Sequence, residues 1–579
     1  MRQDAARSSA LLAEEQSQTP AVVPPVGPGH WVSREKHREI IDLLNPEPAV
    51  VVNLQRINWA LDFGFVGGAT AGILSGALSL APIAASDWDP ECFADMLFVS
   101  ELIDICMRID IEGFEPTIDK RFLARLLTQP PKDSDVLEFR RAILQELAHE
   151  GELRALFNRT YRDLYRLREL FDSTKRLSES EDRTRRLDIL SAIHEVIERL
   201  GNGFDGCKSG LSRIARFAQF ARASAGYLRL CELLDYENHL ASVDLKLRLG
   251  ADGRIRRFEI VRMSENRENP FYRTPLGRFW IRLLFFFRGY MLSEVELINR
   301  WVDSIFDGVR QLLPPLIQLI GEMEFYLAAL AFKELADTHR LSVSFPRFIS
   351  GTPSAPARRV LRGLFNPLLF SQNITPIPCD IEDETWDTTT IVTGPNSGGK
   401  TRLLQAVGLA QMLGQCGMFA PVSEGVLNRA SGLYVSLNAE ARADQCEGHL
   451  GTELIRIRQL FENARYGSLI ILDELCSGTN PSEGEEIFRL VVSLLRELRP
   501  CVFITTHFLQ FAMRLCDESE AADGLCFLQV KLDESNCPTY RFIPGVAKTS
   551  LAQQTAARLG VTREELLALI RRGRLADPC

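Results

Sequence analysis

The stretch Ile391-Val-Thr-Gly-Pro-Asn-Ser-Gly-Gly-Lys400, followed by Thr401, decides the fold of this chain. It has the spacing Gly-x-x-x-x-Gly-Lys-Thr that is typical of a phosphate-binding loop. The apolar residues 390–392 predict a strand before the loop, and residues 402–412 predict a helix after it. Such a loop surrounds phosphates with backbone N–H groups, and the helix N-terminus adds partial positive charge. The stretch therefore predicts an α/β nucleotide-binding fold; the alternative is a glycine-rich turn that matches by chance.

The residues of this loop have separate expected roles. Glycines let the backbone approach a phosphate without a Cβ in the way. The ammonium group of Lys400 is expected to reach the β- and γ-phosphates, and the hydroxyl of Thr401 is expected to bind Mg²⁺. ATP and Mg²⁺ are thus the expected cofactors. The predicted nucleotide-binding residues are Gly394, Pro395, Asn396, Ser397, Gly398, Gly399, Lys400 and Thr401.

A second motif supplies the carboxylates that such a loop needs. The apolar run 468–472 ends in Asp473 and Glu474. A buried parallel strand would carry Asp473 to the Mg²⁺ ion, directly or through water. Glu474, one residue further, is placed to polarise the attacking water as a general base. The two motifs together predict hydrolysis of ATP to ADP and phosphate.

The stretch Ile504-Thr-Thr-His507 predicts another apolar strand, which ends in a histidine. A histidine at this position can contact the γ-phosphate and report its presence. A histidine that only caps the end of a strand is the alternative. Because the other two motifs are present, we expect His507 to take part in the reaction.

Composition and charge narrow the class of protein. The chain has 579 residues, which is too long for one core, and its formal net charge is −9. This charge argues against a protein that coats nucleic acid over its whole surface, but it is compatible with a local basic patch. The 13 cysteines include no Cys-x-x-Cys pair, so we expect reduced thiols in a cytoplasmic protein. Residues 1–33 are rich in Ser, Gln, Ala and Pro, which predicts a disordered tail.

Residues 34–87 contain the one stretch that challenges a cytoplasmic location. Residues 63–85 carry no charge and are numerous enough to span a bilayer. Glycines at every fourth position resemble the small-residue ladders of membrane helices. Because the stretch is mostly Gly, Ala and Ser, its transfer into lipid is only weakly favourable. A buried helix or a glycine-rich connection is therefore the preferred interpretation, and association with a membrane is the alternative.

Residues 88–345 have mainly helical periodicity, with apolar residues recurring at spacings of three and four. The pattern breaks at Leu245, Leu247 and Leu249, which alternate with charged residues. The turn at 250–253 and a second apolar run follow, and together they predict a β-hairpin. We place it in an insertion at about 243–290.

This insertion is basic and rich in aromatic residues. Between Leu245 and Tyr290, eleven Lys or Arg residues oppose four Asp or Glu residues. Three interpretations remain open: a surface that grips DNA phosphates, a segment on an anionic membrane surface, and a core helix edged with arginines. We favour DNA, and the candidate DNA-binding residues are Arg254, Arg256 and Arg257.

The three motifs together resemble the ATPase domain of the MutS family. The resemblance rests on the string 393–401, on Leu472-Asp-Glu-Leu-Cys-Ser-Gly-Thr-Asn-Pro-Ser-Glu-Gly484 and on Thr505-Thr-His507. Asn396 within the loop and the Gly-Thr-x-x-x-x-Gly spacing after Asp-Glu are more specific than a generic phosphate loop. The resemblance is strong over about 360–579 and weak over about 88–345.

The resemblance implies an architecture and a function. Residues 346–579 would form an ABC-type P-loop ATPase domain that ends in a helical dimerisation segment at about 544–575. A mainly α-helical core and lever domain at 88–345 would precede it and carry the inserted hairpin. A dimer, most simply a homodimer, would hold two composite ATP sites and act as an ATP-driven clamp on structured or mismatched DNA in repair or recombination. A membrane- or ribosome-associated ATPase that uses the same engine is the alternative.

Three departures from the family pattern affect these expectations. The signature segment 445–453 lacks the Ser that would touch the γ-phosphate of the opposite subunit, so Gly448, His449 and Thr452 are the candidates for that contact. Nothing before Trp88 resembles a mismatch-reading domain, so recognition of mispaired bases is not expected from the sequence. No nuclease domain is expected after the ATPase.

Overall fold

A computed structural model describes residues 40–173, 179–238, 241–249, 255–265, 294–349, 358–383, 385–437, 449–475, 480–518, 524–548, 561 and 563–567. The predicted tail at 1–33, Arg254, Gly448 and most of the predicted dimerisation segment lie outside these residues. The roles predicted for the side chains of Arg256, Arg257, His449 and Thr452 also fall outside the description, which covers only their backbone.

Helices dominate the described chain from residue 54 to residue 338, which we call the helical part. They are α1 (Leu54–Phe65), α2 (Val99–Cys106), α3 (Lys120–Thr128), α4 (Ser134–His149), α5 (Gly151–Asp172), α6 (Glu179–Leu200), α7 (Ser212–Arg222), α8 (Ala225–Asn238), α9 (Glu294–Val309) and α10 (Leu313–Thr338). Helix α10 is the centre of this part, because it is buried from Leu313 to Leu330 and packs against α1 to α5. Its two prolines lie in its first turn, where a missing N–H costs nothing.

The stretch 63–85 is not one helix. Helix α1 ends at Phe65, and residues 66–81 form a succession of turns. Gly67 takes a φ of +82°, and the N–H of Gly68 donates to the Phe63 carbonyl at 2.8 Å. This is a Schellman ending, which a glycine in the left-handed conformation favours. The glycine-rich connection is therefore correct for this stretch, and a spanning helix over 63–85 is wrong.

One described stretch does have the length and composition of a membrane span. It is Val302–Thr338, which includes α10, and 89% of its most apolar window is buried inside the structure. Burial of this extent is what the central helix of a protein core shows.

The predicted hairpin is confirmed by strand pairing. Strand β1 (Ala241–Leu249) pairs antiparallel with β2 (Ile255–Glu265), from Ala241 opposite Glu265 to Leu249 opposite Ile255. Arg256 and Arg257 therefore lie near the start of the second strand.

Two sheets follow the helical part and form what we call the α/β part. A four-stranded sheet has the order β3-β7-β4-β5, and a six-stranded sheet has the order β12-β11-β6-β10-β9-β8. The strands are β3 (Arg347–Ile349), β4 (Arg359–Leu364), β5 (Cys379–Asp383), β6 (Thr389–Thr393), β7 (Glu424–Asn428), β8 (Leu433–Ser436), β9 (Leu469–Leu472), β10 (Cys501–Thr505), β11 (Leu525–Leu532) and β12 (Pro538–Pro544). This order of a helical part before an α/β part agrees with the predicted fold class.

The larger sheet brings the sequence motifs to one edge. Strand β10 pairs parallel with β6 on one side and with β9 on the other. The phosphate loop follows β6, Asp473 follows β9 and His507 follows β10, so all three motifs leave the carboxyl ends of adjacent strands. Ligands in such sheets bind in the crevice outside these ends.

In the part of the chain that the structure describes, four helices cover the larger sheet, and they pack into two cores. They are α11 (Lys400–Cys416), α12 (His449–Asn463), α13 (Pro481–Leu495) and α14 (Leu509–Glu518). Helix α11 belongs to a hydrophobic core that is continuous with the helical part. Helices α12, α13 and α14 pack against the sheet in a second core.

The carboxyl end of α11 lies against two buried arginines of α4. Arg140 donates through Nη1 to the Cys416 carbonyl at 3.3 Å, and Arg141 donates through Nη2 to the Gly414 carbonyl at 3.3 Å. Cations at this end of a helix are favourable because the last carbonyls carry partial negative charge. The helix that begins at the phosphate loop therefore ends on the helical part.

Candidate nucleotide-binding and hydrolysis site

The loop between β6 and α11 has the backbone that its glycines predict. Gly394 has a φ of +147°, and a Cβ at this position would lie 2.6 Å from a methyl group of Val530. Gly399 has a φ of +90° and directly precedes α11. Residues with side chains rarely adopt these conformations. The loop can therefore turn tightly and direct its N–H groups toward the start of α11.

Lys400 lies beneath this loop rather than in solvent. Its Nζ donates to the carbonyls of Gly394 at 3.1 Å and of Pro395 at 3.2 Å. Burial lowers the pKa of Lys400, and the nearby carboxylates of Glu474 and Asp473 act in the opposite direction. The ammonium group is thus held between the loop and the two acidic residues.

The two predicted metal ligands are in direct contact. Thr401 Oγ1 donates to Asp473 Oδ2 at 2.7 Å, and the Asp473 N–H donates to the Ser436 carbonyl at 2.8 Å. A hydroxyl and a carboxylate are hard oxygen ligands, which Mg²⁺ prefers, and Mg²⁺ usually completes its shell with phosphates and water. Within the described ranges, no group of three or more His, Cys, Asp or Glu residues forms a site that could hold a metal by itself. The pair fits a Mg²⁺ ion that is bound together with a nucleotide.

Glu474 has a backbone conformation that is unusual for its type. Its φ is +51°, in the left-handed region, which costs a residue with a side chain about 1–2 kcal/mol. Its N–H donates to Thr505 Oγ1 at 2.7 Å. Unusual backbone conformations that the surrounding structure maintains are concentrated at functional sites.

A cavity of about 690 Å³ opens above the loop. The loop residues from Asn396 to Thr401 line it, together with Glu474. The other walls come from the short helix Pro367–Gln372, from β5 and from β12. The volume is typical of a small-molecule site.

Tyr540 on β12 is a wall of this cavity that no sequence motif indicates. Its side chain is 47% exposed, and its ring lies 3.2 Å from where a Cβ on Gly399 would stand. An exposed aromatic ring beside a phosphate loop can stack on a flat ring system. Strand pairing of β12 with β11 brings it there, and local sequence carries no signal of this pairing.

Asn366 connects the cavity wall to α11. Its Nδ2 donates to the Arg402 carbonyl and to Gln405 Oε1, each at 3.0 Å, while its Oδ1 accepts from the Leu368 N–H at 2.9 Å. The asparagine thus begins the short helix Pro367–Gln372 and fixes it to the first turns of α11. Leu369 and Gln372 of that helix line the cavity.

His507 follows β10 at the same sheet edge as the other motifs, but it does not line the cavity. It is exposed at the end of β10, and its ring centre is 4.3 Å from that of Phe508. The described residues that line the cavity do not include it. The structure therefore brings together the loop, Thr401, Asp473 and Glu474, and the predicted role of His507 stays a prediction.

Sequence comparisons place this site in a known family. Residues 390–567 match the family model of MutS domain V. The protein named endonuclease MutS2 of Thermomicrobium roseum is 29% identical over 310 residues, which cover 52% of this chain and 37% of that protein. The proteins of the same name in Halothermothrix orenii and Thermotoga petrophila are 32% and 30% identical over 206 and 263 residues. These two matches cover 35% and 44% of this chain, and 25% and 33% of the relatives.

The chain thus spans about a third of the length of these relatives. The matched region contains the phosphate loop, the strand that ends in Asp473 and Glu474, and the strand that precedes His507. The motifs, their placement on one sheet edge and the domain V match agree with one another, and they support membership of the MutS family for the matched region 390–567.

Proposed function

We propose that this chain is a Mg²⁺-dependent ATPase that converts ATP and water to ADP and phosphate. The observation that carries the proposal is the contact between Thr401 and Asp473 at 2.7 Å, beside a cavity that Glu474 also lines. This arrangement unites a phosphate loop, a metal-binding pair and a general base. The match of residues 390–567 to MutS domain V supports the same reaction.

Each residue then has a role in the reaction. The loop N–H groups and Lys400 bind the phosphates, and the two carbonyls that now accept from Lys400 keep its ammonium group in place. Thr401 and Asp473 would hold Mg²⁺, which would supply charge neutralisation at the transferred phosphoryl group. Glu474 accepts a proton from the attacking water. Tyr540 stacks on the base of the nucleotide.

The substitution Glu474→Gln tests this assignment. It keeps the shape of the side chain and removes the base, so we expect turnover to fall by about 10²- to 10⁴-fold while ATP still binds. Phosphate release measures turnover, and a fluorescent ATP analogue measures binding. Glu462→Gln is the control, because Glu462 is exposed on α12 in an ion pair with Arg458 and lies away from the cavity. Unchanged turnover in Glu474→Gln would exclude Glu474 from the mechanism.

We further propose that the ATPase acts on DNA as a clamp in repair or recombination. The support is the match to MutS domain V and the basic, aromatic-rich sequence around β1 and β2. Because phosphate contacts release counterions, binding to duplex and branched DNA should weaken steeply as salt rises. The double substitution of Arg256 and Arg257 by Gln should reduce the salt slope by about 1 for each lost contact. Absence of DNA binding at low salt, together with recovery in a membrane fraction, would favour the alternative of a membrane-associated ATPase.

A dimer with composite sites is part of the same proposal. The apolar side chains of Leu490 and Leu494 on α13 are 57% and 45% exposed, and Met513 on α14 is 42% exposed. Exposed apolar residues of this kind are suited to a protein interface. Light scattering of Glu474→Gln with and without ATP tests it, and we expect the mass to double with ATP. A constant monomer mass would contradict a composite site.

A further inference from the structure

Thr505 joins the two acidic residues of the candidate site. It is the last residue of β10 and is fully buried. Its Oγ1 donates to Asp473 Oδ1 at 2.6 Å and accepts from the Glu474 N–H at 2.7 Å. A hydroxyl has one donor and two acceptor positions, so one Thr side chain makes both bonds at once. An apolar side chain of the same shape makes neither.

The first bond determines the orientation of Asp473. Asp473 Oδ1 accepts from Thr505, and Asp473 Oδ2 accepts from Thr401 at 2.7 Å. With both oxygens bonded, the carboxylate cannot rotate without losing a bond. Oδ2 is thereby held beside the Thr401 hydroxyl, where the proposed Mg²⁺ ion would bind.

The second bond acts on the backbone at Glu474. Left-handed backbone persists at such a residue only when the surrounding structure maintains it. The φ of Glu474 is +51°, and the bond from its N–H to Thr505 is one contact that maintains it. The direction in which Glu474 leaves the strand, and so the position of its carboxylate at the cavity, depends on this peptide.

We propose that Thr505 is a positioning residue for ATP hydrolysis, which sets Asp473 for the metal and Glu474 for the attacking water. The inference rests on the proposed function, because it concerns the same reaction. The sheet does not need the hydroxyl of Thr505, because the strand pairings of β10 with β6 and β9 are made by backbone groups. The hydroxyl therefore serves the two acidic residues.

The test compares Thr505→Val, Thr505→Ser and the unchanged chain. Valine keeps the shape and removes both hydrogen bonds, and serine restores them. Misplacement of a catalytic group by about 1 Å costs on the order of 100-fold in rate. We expect Thr505→Val to lower kcat by about 10- to 100-fold with KM for ATP within about threefold, and Thr505→Ser to recover kcat to within about threefold.

A second measurement does not depend on hydrolysis. The Mg²⁺ concentration that half-saturates the binding of a fluorescent ADP analogue reports the orientation of Asp473. We expect Thr505→Val to raise this concentration by about tenfold, the factor for the loss of roughly one hydrogen bond to a charged group. Binding of the analogue without Mg²⁺ should stay unchanged.

Thr390→Val is the matched control. Thr390 is as buried as Thr505 and lies opposite Phe503 in the adjacent strand β6, but its hydroxyl contacts Arg359 at 3.5 Å rather than either acidic residue. We expect kcat and the Mg²⁺ half-saturation of this control to match those of the unchanged chain.

Two results would overturn the role of Thr505. One is that Thr505→Val keeps both quantities within twofold of the unchanged chain. The other is that Thr390→Val reproduces its losses. If the unchanged chain binds nucleotide but hydrolyses none, the proposed function fails, and the Mg²⁺ half-saturation still decides the role of Thr505.

Discussion

Charged side chains are buried in two regions of this molecule, and their surroundings differ. Around α10 they are enclosed by protein, whereas at the nucleotide site they line a cavity of about 690 Å³. In the first region, Glu322, Glu324 and Arg140 each have protein partners on more than one segment of the chain. In the second, Lys400 has two carbonyls of its own loop and faces the site of the proposed phosphates. We infer from the difference that buried charge stabilises the fold in the first region, whereas in the second it serves the proposed chemistry.

The enclosed charges hold the segment before α1 against α10 and α11. Glu322 Oε2 accepts from the Leu43 N–H at 2.8 Å, and Tyr326 donates to the Leu43 carbonyl. Arg140 donates to the Leu44 carbonyl at 3.0 Å and lies 5.4 Å from the centre of the Phe325 ring. Burial raises the pKa of Glu322 and lowers the pKa of Arg140. Burial thus disfavours the charged form of each group, and the partners of each group act in the opposite direction.

The strongest test of this comparison is Arg140→Met. The substitution leaves the Leu44 and Cys416 carbonyls without their donor, so we expect a loss of about 4 kcal/mol in the free energy of unfolding. Denaturant titration measures it. The ATP dissociation constant of the folded variant should remain within about threefold, because one of the two carbonyls lies before α1 and the other lies at the end of α11 that is far from the phosphate loop.

Arg108→Met is the control for this loss. Arg108 forms an ion pair with Glu115, and the Arg108 side chain is 66% exposed. An exposed pair of this kind contributes little, so we expect Arg108→Met to leave the free energy of unfolding almost unchanged. Equal losses from the two variants would mean that enclosure of Arg140 has no special importance.

The next test uses the pH dependence of Glu324. Burial raises the pKa of Glu324 to about 7, against opposing effects of Arg168, of the Asp119 N–H and of the Tyr161 hydroxyl. The folded protein therefore keeps a proton that the unfolded chain loses above its ordinary pKa of 4.5. Stability should fall as pH rises from 4.5 to 7 and then level off, by roughly 3 kcal/mol in all.

Glu324→Gln isolates this contribution from the other titrating groups. Glutamine does not titrate, so the difference in the free energy of unfolding between the two proteins should change across the window and be constant above it. Denaturant titrations at several pH values measure the difference. Parallel curves for the two proteins would show that Glu324 has an ordinary pKa.

A smaller effect, confined to the nucleotide site, is expected from Lys400→Ala. Loss of charge-assisted bonds to phosphate costs about 1.5–3 kcal/mol, or roughly 10- to 100-fold in ATP affinity. Because burial lowers the pKa of Lys400, its removal should not lower the melting temperature. Lys333→Ala, which breaks an ion pair with Asp337 on α10, should leave ATP affinity unchanged. A large loss of stability in Lys400→Ala would abolish the distinction between the two regions.

The smallest effect is expected from Tyr540→Ala. Loss of stacking on a base costs about 1 kcal/mol, or roughly fivefold in ATP affinity, and Tyr540→Phe should retain it. Tripolyphosphate, which has no base, distinguishes the roles of Lys400 and Tyr540. Its affinity is measured by competition with a fluorescent nucleotide. Its affinity should respond to Lys400→Ala and not to Tyr540→Ala. An equal response to both would mean that Tyr540 contacts the phosphates.

Sequence motifs indicate the loop and the acidic residues of the candidate site, but they do not indicate the walls of its cavity. Phosphate binding requires Gly394, Lys400 and Thr401 at fixed spacing, so the chemistry is visible locally. Tyr540 reaches the cavity through the pairing of β12 with β11, and Thr505 acts through a hydroxyl inside an apolar strand. Neither residue belongs to a motif with a recognisable spacing in the sequence. Such residues become apparent only when the strands are placed side by side.

The helical part shows a second limit of sequence reasoning. Helical periodicity identified the region as mainly helical, but it could not show that Arg140 and Arg141 are buried. Arginines on a helix usually indicate a solvated face, and only tertiary packing shows the carbonyls that they bind. The uncharged stretch 63–85 was equally ambiguous, because composition alone does not reveal that Gly67 ends α1.

The attachment of α11 to Arg140 and Arg141 bears on how the region that matches domain V could be exchanged between proteins. Domain V is contiguous in sequence, so recombination could transfer it as one cassette. The carboxyl end of its phosphate-loop helix, however, binds arginines encoded well upstream. A transplanted domain V would therefore arrive with carbonyls that lack their donors unless the recipient supplies an equivalent of α4. The unit that can be inherited as one gene segment is smaller than the unit that folds.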